Sequence, residues 1–222
     1  MWLDRTVGRA VTRDEQVTRK RDERGAAMVE FALILPLLVL LTFGIIEFAV
    51  AFNTDSNINQ AGRAGGRTAA ILSTDPQMAF KAGEAAATSL DVAPGTVVGT
   101  PTVCIGKFNP ATPQQCTTNA TSMTLSHPSG PNNPTWVATN SAGDPPGGPY
   151  TINDNWPLAS RQFGCPTAGN PGKYDKVIIH VVVQHKLLVP GLFSEFFGNS
   201  ANPAFTATAV FQLEPVPASS CG

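Results

Sequence analysis

Residues 26–52 read AAMVEFALILPLLVLLTFGIIEFAVAF, and this run decides the architecture. Its 27 positions extend roughly 40 Å as an α-helix, and the hydrocarbon core of a bilayer needs about 20 residues. No charge lies between Glu30 and Glu47. The run is too long for a buried core helix or the core of a signal peptide, and no A-x-A-like cleavage site ends it. It reads as a retained, single-pass transmembrane helix. Flanking cations orient it. Arg5, Arg9, Arg13, Arg19, Lys20, Arg21 and Arg24 precede the run, whereas the nearest cations after it are Arg63 and Arg67. The positive-inside rule therefore puts the N-terminus in the cytoplasm. Three segments follow: a basic cytoplasmic leader at 1–25, a transmembrane helix at 26–52 and an extracytoplasmic domain at 53–222.

Working outward from the span, composition narrows the function classes. The formal net charge is -1, which offers no global basic surface for nucleic acid. The outer part is rich in Gly, Pro, Thr and Asn and poor in charge, a composition suited to strands and long turns on an exported surface. All four cysteines, Cys104, Cys116, Cys165 and Cys221, follow the apolar run. An even number on the oxidising side of a membrane fits two disulfides. Three pairings are open; if Cys104 and Cys116 close a short loop, Cys165 and Cys221 tie down the C-terminus. The spacings contain no C-x-x-C pair and do not suit a zinc site, so no metal and no cofactor is expected.

Two acids interrupt the apolar run. Glu47 stands about 25 Å from Glu30 along a helix axis, which places it at the outer interface, where water can solvate it. Glu30 is near the inner end, where it either snorkels to the headgroups or pairs with a cation on a neighbouring protein. An intramembrane carboxylate costs roughly 3 kcal/mol at mid-bilayer on insertion scales and less near an edge.

The context of Glu30 is Arg24-Gly25-Ala26-Ala27-Met28-Val29-Glu30-Phe31. A basic stretch leads to a Gly, four small or apolar residues, a Glu, an aromatic and the apolar helix. This resembles the processing site of type IV pilin-like proteins, in particular their Tad (Flp) branch. The run through Phe52, with its Leu35-Pro36 step, and the following Asn59-Gln60-Ala61-Gly62-Arg63-Ala64-Gly65-Gly66-Arg67-Thr68-Ala69-Ala70 are similar to TadE-like pseudopilins, over about residues 24–72 and more loosely 175–214. The resemblance implies cleavage by a membrane prepilin peptidase between Gly25 and Ala26, with Glu30 becoming the fifth residue of the mature chain and Phe31 following it. A new amine at Ala26 then sits at the inner membrane edge. Glu30 of an adjacent subunit can neutralise it, turning two lone charges in an apolar medium into one pair.

Beyond Phe52, Ile58, Ala61, Gly65, Ala69 and Leu72 repeat at helical spacing. Arg63 and Arg67 lie on the opposite face, solvated or docked onto acids of a neighbouring subunit. The small residues leave room for a sheet or a sister helix. Asp75-Pro76 breaks this helix, and Met78–Leu90 is a second one. Strands are expected at Val97–Ile105, Ser122–Leu125, Lys176–Val189 and Ala204–Leu213. In the third of these, Val177, Ile179, Val181 and Val183 form the helix-facing set. A Pro/Gly-rich loop fills about 126–172, punctuated by Trp136, Tyr150, Trp156 and Phe163, aromatics that either form a binding face or, as is commoner, pin a loop to the core. Leu192, Phe193, Phe196 and Phe197 read as one face of a helical turn or two. The fold class is α+β: a long N-terminal helix, transmembrane plus amphipathic extension, packed on a small antiparallel sheet. That is also the pilin-like architecture the resemblance implies.

No catalytic constellation emerges. There is no phosphate-binding Gly loop, H-E-x-x-H or G-x-S-x-G. His180 and His185 fall on opposite faces of one strand, and His127 lies in a loop. The functional expectation is therefore a structural protein, a minor pilin or pseudopilin of a Tad-type pilus or related secretion fibre. Its implied partners are the prepilin peptidase, other pilins or pseudopilins, the pilus assembly platform and membrane lipid. The alternative is an uncleaved, membrane-anchored binding module or adhesin.

Overall fold

The computed structural model of the protein describes residues 13–92, 94–126, 136–139, 155–162, 174–193, 195 and 202–214. The chain forms two compact units, Met1–Ile46 and Glu47–Gly222. Helix α1 (Arg13–Ile71) runs through both. Its stretch in the first unit carries the long apolar run, with Pro36 inside the helix.

In the second unit the chain makes helix α2 (Met78–Thr88) and five strands. These are β1 (Val97–Lys107), β2 (Thr121–Ser126), β3 (Val137–Thr139), β4 (Lys176–His185) and β5 (Ala204–Gln212). They form one antiparallel sheet in the order β3-β2-β1-β4-β5. Helix α2 and the second-unit stretch of α1 lie on one face of it, an α+β, pilin-like arrangement. Helix α2 covers β1, β2 and β3, and the end of α1 covers β4 and β5.

Small residues set how closely α1 approaches. A Cβ added at Gly62 would touch Ala209 at 3.7 Å, but one at Gly66 would reach within 2.1 Å of the Phe211 ring. One at Gly65 would lie 2.9 Å from the Ala82 carbonyl oxygen of α2. The expected stripe is the buried one: Ile58, Ala61 and Ala69 have no exposed surface, and Leu72 packs beside them. Helix α2 is alanine-rich and buries Met78, Phe80, Ala82, Ala86 and Ala87, which lets it pack against both the sheet and the flank of α1. Its entry is organised by Asp75, whose Oδ1 accepts the Gln77 N–H at 2.7 Å.

The strand alternation is realised in β4. Val177, Ile179, Val181 and Val183 are fully buried toward the helices, as a period of two requires. β4 ends at His185, earlier than the alternation suggested, and a single helical turn at Pro190–Phe193 follows. Phe196 and Phe197 lie outside the described residues. Strand β3 was not anticipated, because three residues in a Pro/Gly-rich region carry almost no periodicity. Trp136, beside it, is buried, and its Nε1 donates to the Val92 carbonyl at 3.1 Å. Trp156 is buried too, so both tryptophans pin this region to the core. Tyr150 and Phe163 lie outside the described residues.

Candidate functional site

Gly25 to Phe31 are helical and exposed within the first unit. A Cβ at Gly25 would meet nothing within 4 Å. Glu30 is exposed, and Phe31, Leu33, Leu37 and Ile45 each leave more than half their surface uncovered. By length and composition the helix from Gly25 onward can cross a membrane, and none of its most apolar stretch is buried within the chain. A soluble monomer does not leave so much contiguous apolar surface open. Such a surface is consistent with membrane anchoring, and in a bilayer a carboxylate at position 30 needs a cation or the headgroup zone. Thr42 keeps its hydroxyl satisfied by donating to the Leu38 carbonyl at 2.7 Å.

Arg63 and Arg67 are exposed on α1, and neither has an ion pair or hydrogen bond among the described residues. Arg63 borders a groove between α1 and β5 that is lined by Asn59, Ala207, Thr208, Ala209, Val210 and Phe211.

Glu47 departs from the sequence expectation. It is not solvated at an interface: it is 1 % exposed, at the start of the second unit. Its Oε1 lies 3.3 Å from Nε2 of His185, which is fully buried, and its Oε2 accepts the Leu188 N–H at 2.9 Å. The His185 ring meets Phe205 edge-on at 5.7 Å. The physical reason is register. Position 185 shares the parity of Val181 and Val183, so the imidazole points to the helix side, where Glu47 of α1 supplies an acceptor. The signal in the sequence was a Glu in an apolar run and a His ending an apolar alternation. Nothing local joined two residues 138 positions apart.

His180 faces the other side, where its Nδ1 lies 3.0 Å from the Thr208 hydroxyl. Burial pushes its pKa below the ordinary 6.5. The two strand histidines are therefore separated, as their spacing required. His127 lies outside the described residues. Among the described residues no group of three or more His, Cys, Asp or Glu side chains could hold a metal ion.

Cys104 and Cys116 form a disulfide that closes the loop between β1 and β2. Cys165 and Cys221 lie outside the described residues. A second fastening, not anticipated, is the buried Arg161. Its Nε donates to the Trp156 carbonyl at 2.9 Å and its Nη1 to the Ser73 carbonyl at 3.0 Å, with a further bond to the Asp75 carbonyl. Asp75 itself pairs with Lys81. Burial raises its carboxyl, but the Lys81 and Gln77 hydrogen bonds and the charges of Lys81 and Arg161 outweigh that and hold it below the ordinary 3.8.

No curated protein and no solved structure matches the chain. The model of one family, described as TadE-like protein, matches residues 25–67. Its span opens on Gly25, takes in the exposed apolar helix and Glu30, and runs into the glycine-rich stretch that lies on the sheet. The TadE-like family domain at residues 25–67 therefore begins in the first unit and ends inside the α+β second unit.

Proposed function

We propose that the chain is a minor pilin- or pseudopilin-like structural component of a Tad-type pilus or related secretion fibre, with no catalytic role of its own. A prepilin peptidase removes residues 1–25, cutting between Gly25 and Ala26. The mature chain keeps residues 26–52 as its membrane helix, N-terminus inward, and presents the remainder outside the cytoplasm. The observation that carries this reading is the family match beginning at Gly25 on a helix whose apolar surface has no cover of its own. Once inserted beside sister helices, the Ala26 amine and Glu30 of adjacent subunits neutralise each other, a pairing favoured by the low dielectric around both. Phe31 packs next to the pair. Other pilins or pseudopilins, the assembly platform and lipid are the partners.

The N-terminal sequence of the protein recovered from its native membrane tests this. In cells with an active prepilin peptidase it begins at Ala26; an intact leader overturns the proposal and leaves an anchored binding module. Because nothing crowds position 25, Gly25→Leu is accommodated within the chain, and loss of cleavage in that variant reports the peptidase. Glu30→Gln removes a charge from the helix, so insertion and cleavage continue while recovery with other pilus components falls. Equal assembly of Glu30→Gln and the parent would reduce Glu30 to a snorkelling residue.

A further inference from the structure

Among the described residues, strand β5 ends the sheet order and pairs only with β4. Which of its backbone groups face outward follows from two bonds beyond the strand ends: His185 N–H donates to Pro203 O, and Leu213 N–H to Asp175 O, both within opposed pairs of the same register. In an antiparallel ladder, opposed pairs that exchange hydrogen bonds alternate with pairs that do not. The odd positions of β5 are thereby committed to β4. The N–H and C=O groups of Ala204, Thr206, Thr208, Val210 and Gln212 point away from the sheet.

Natural sheets blunt such an edge with charge, proline, a bulge or brevity. The far edge, β3, uses brevity, with three residues. β5 uses none of these. Its sequence AFTATAVFQ has no charged residue, Pro or Gly, and its register with β4 runs through nine consecutive pairs without a shift. Beside it lies the groove bordered by Asn59 and Arg63, and among the described residues no carboxylate lines that groove. The nearest acid on the same helix row, Asp55, already accepts from the Asn59 amide. We propose that the β5 edge is a strand-addition site, taking an extended segment of a partner protein that carries a carboxylate opposite Arg63. Main-chain bonds to the even positions supply affinity, and the Arg63 charge supplies selection. A second copy is the poorer occupant. β5 runs the same way as α1, with Phe205 beside Phe48 and Phe52, Ala209 beside Gly62 and Phe211 beside Gly66. Antiparallel pairing of two β5 edges would therefore point the two α1 helices in opposite directions, which two chains anchored in one membrane cannot do. It would also bring two Arg63 side chains toward the same pairing seam. The proposal does not depend on whether the leader is cleaved.

The test is site-resolved amide hydrogen exchange on the full chain in detergent micelles. The probe is a blocked nine-residue peptide of alternating threonine and valine with a central glutamate, alongside a twin with central lysine. Without peptide, the amides of Thr206, Thr208 and Val210 should exchange freely while those of Ala207, Ala209 and Phe211 are protected. The glutamate peptide should slow the even amides by about tenfold or more, the lysine peptide less, and Arg63→Glu should reverse that preference. Val210→Pro removes an outward N–H and no bond to β4; it should abolish peptide protection at Thr208 while the odd amides stay slow. Even amides already protected without peptide, or protection that grows with protein concentration alone, would show another occupant and overturn the proposal. So would equal protection by the two peptides, no protection by either, or a wild-type response from Val210→Pro.

Discussion

Replacing Glu47 tests whether the start of the second unit is held by a buried polar contact. The carboxylate serves two donors, His185 Nε2 and the Leu188 N–H, at 3.3 and 2.9 Å. Glu47→Ala removes both acceptors at once. The orphaned, fully buried His185 donor costs about 1–3 kcal/mol, and the Leu188 N–H, on a half-exposed residue, adds less. Glu47→Gln is milder. Its amide oxygen can still accept the Leu188 N–H, and its NH2 can donate to Nε2 if His185 adopts the other tautomer. The remaining loss is then the Nδ1–H of that tautomer, at about 1–3 kcal/mol. Urea unfolding in micelles, followed by the fluorescence of the buried Trp136 and Trp156, measures both variants against the parent. The expected order of midpoints is parent, Gln, Ala. An alanine variant within about 0.5 kcal/mol of the parent, the range of an ordinary surface substitution, would refute the reasoning and restore a solvated Glu47.

Gly66→Ala should destabilise the unit by about 1–3 kcal/mol through overpacking against Phe211, whereas Gly62→Ala, which meets only ordinary contacts, should be neutral or gain up to about 1 kcal/mol from helix propensity; thermal unfolding of the two separates them. Cys104→Ser with Cys116→Ser should cost about 3 kcal/mol, since the bridge closes a short loop, and intact-mass alkylation of the parent without reductant should leave both residues unlabelled. Stability should also depend on acid. The Asp75 carboxyl is held low in the folded state, so its contribution is present above the ordinary 3.8 and is lost as pH falls through the lower folded value. Lys81→Met should flatten that part of the profile. His180 adds a loss beginning below 6.5, because the unfolded chain takes up its proton before the folded one does. His180→Gln should remove this shallower limb in urea titrations at successive pH values.

The apolar run, the helix stripe and the longer strands were legible because each repeats a period over many residues. Ile58 to Leu72 repeat at three and four, and Val177 to Val183 at two, and burial in the structure follows both patterns. Strand ends were less legible: β4 stops four residues before Val189, the expected end, since the apolar Leu187 belongs to the core without belonging to the ladder. Of the site, the Gly25 and Glu30 segment could be read directly because its meaning is local. The contacts of Glu47, Arg161 and Trp136 could not. Each joins residues far apart in sequence, and Arg161 spends its guanidinium on backbone carbonyls, which no side-chain motif announces. The outward parity of β5 was likewise invisible, because it depends on which neighbour β4 accepts.

The two fastenings that bracket the middle of the chain bear on how this protein can change. Upstream, Trp136 is bonded to Val92 and β3 is paired to β2; downstream, Asn155 donates to Ala120 and Thr121, and Arg161 grips the end of α1 through Ser73. Each flank is held by bonds that do not pass through residues 140–154. Loss of one fastening would therefore leave the bonds of the other in place.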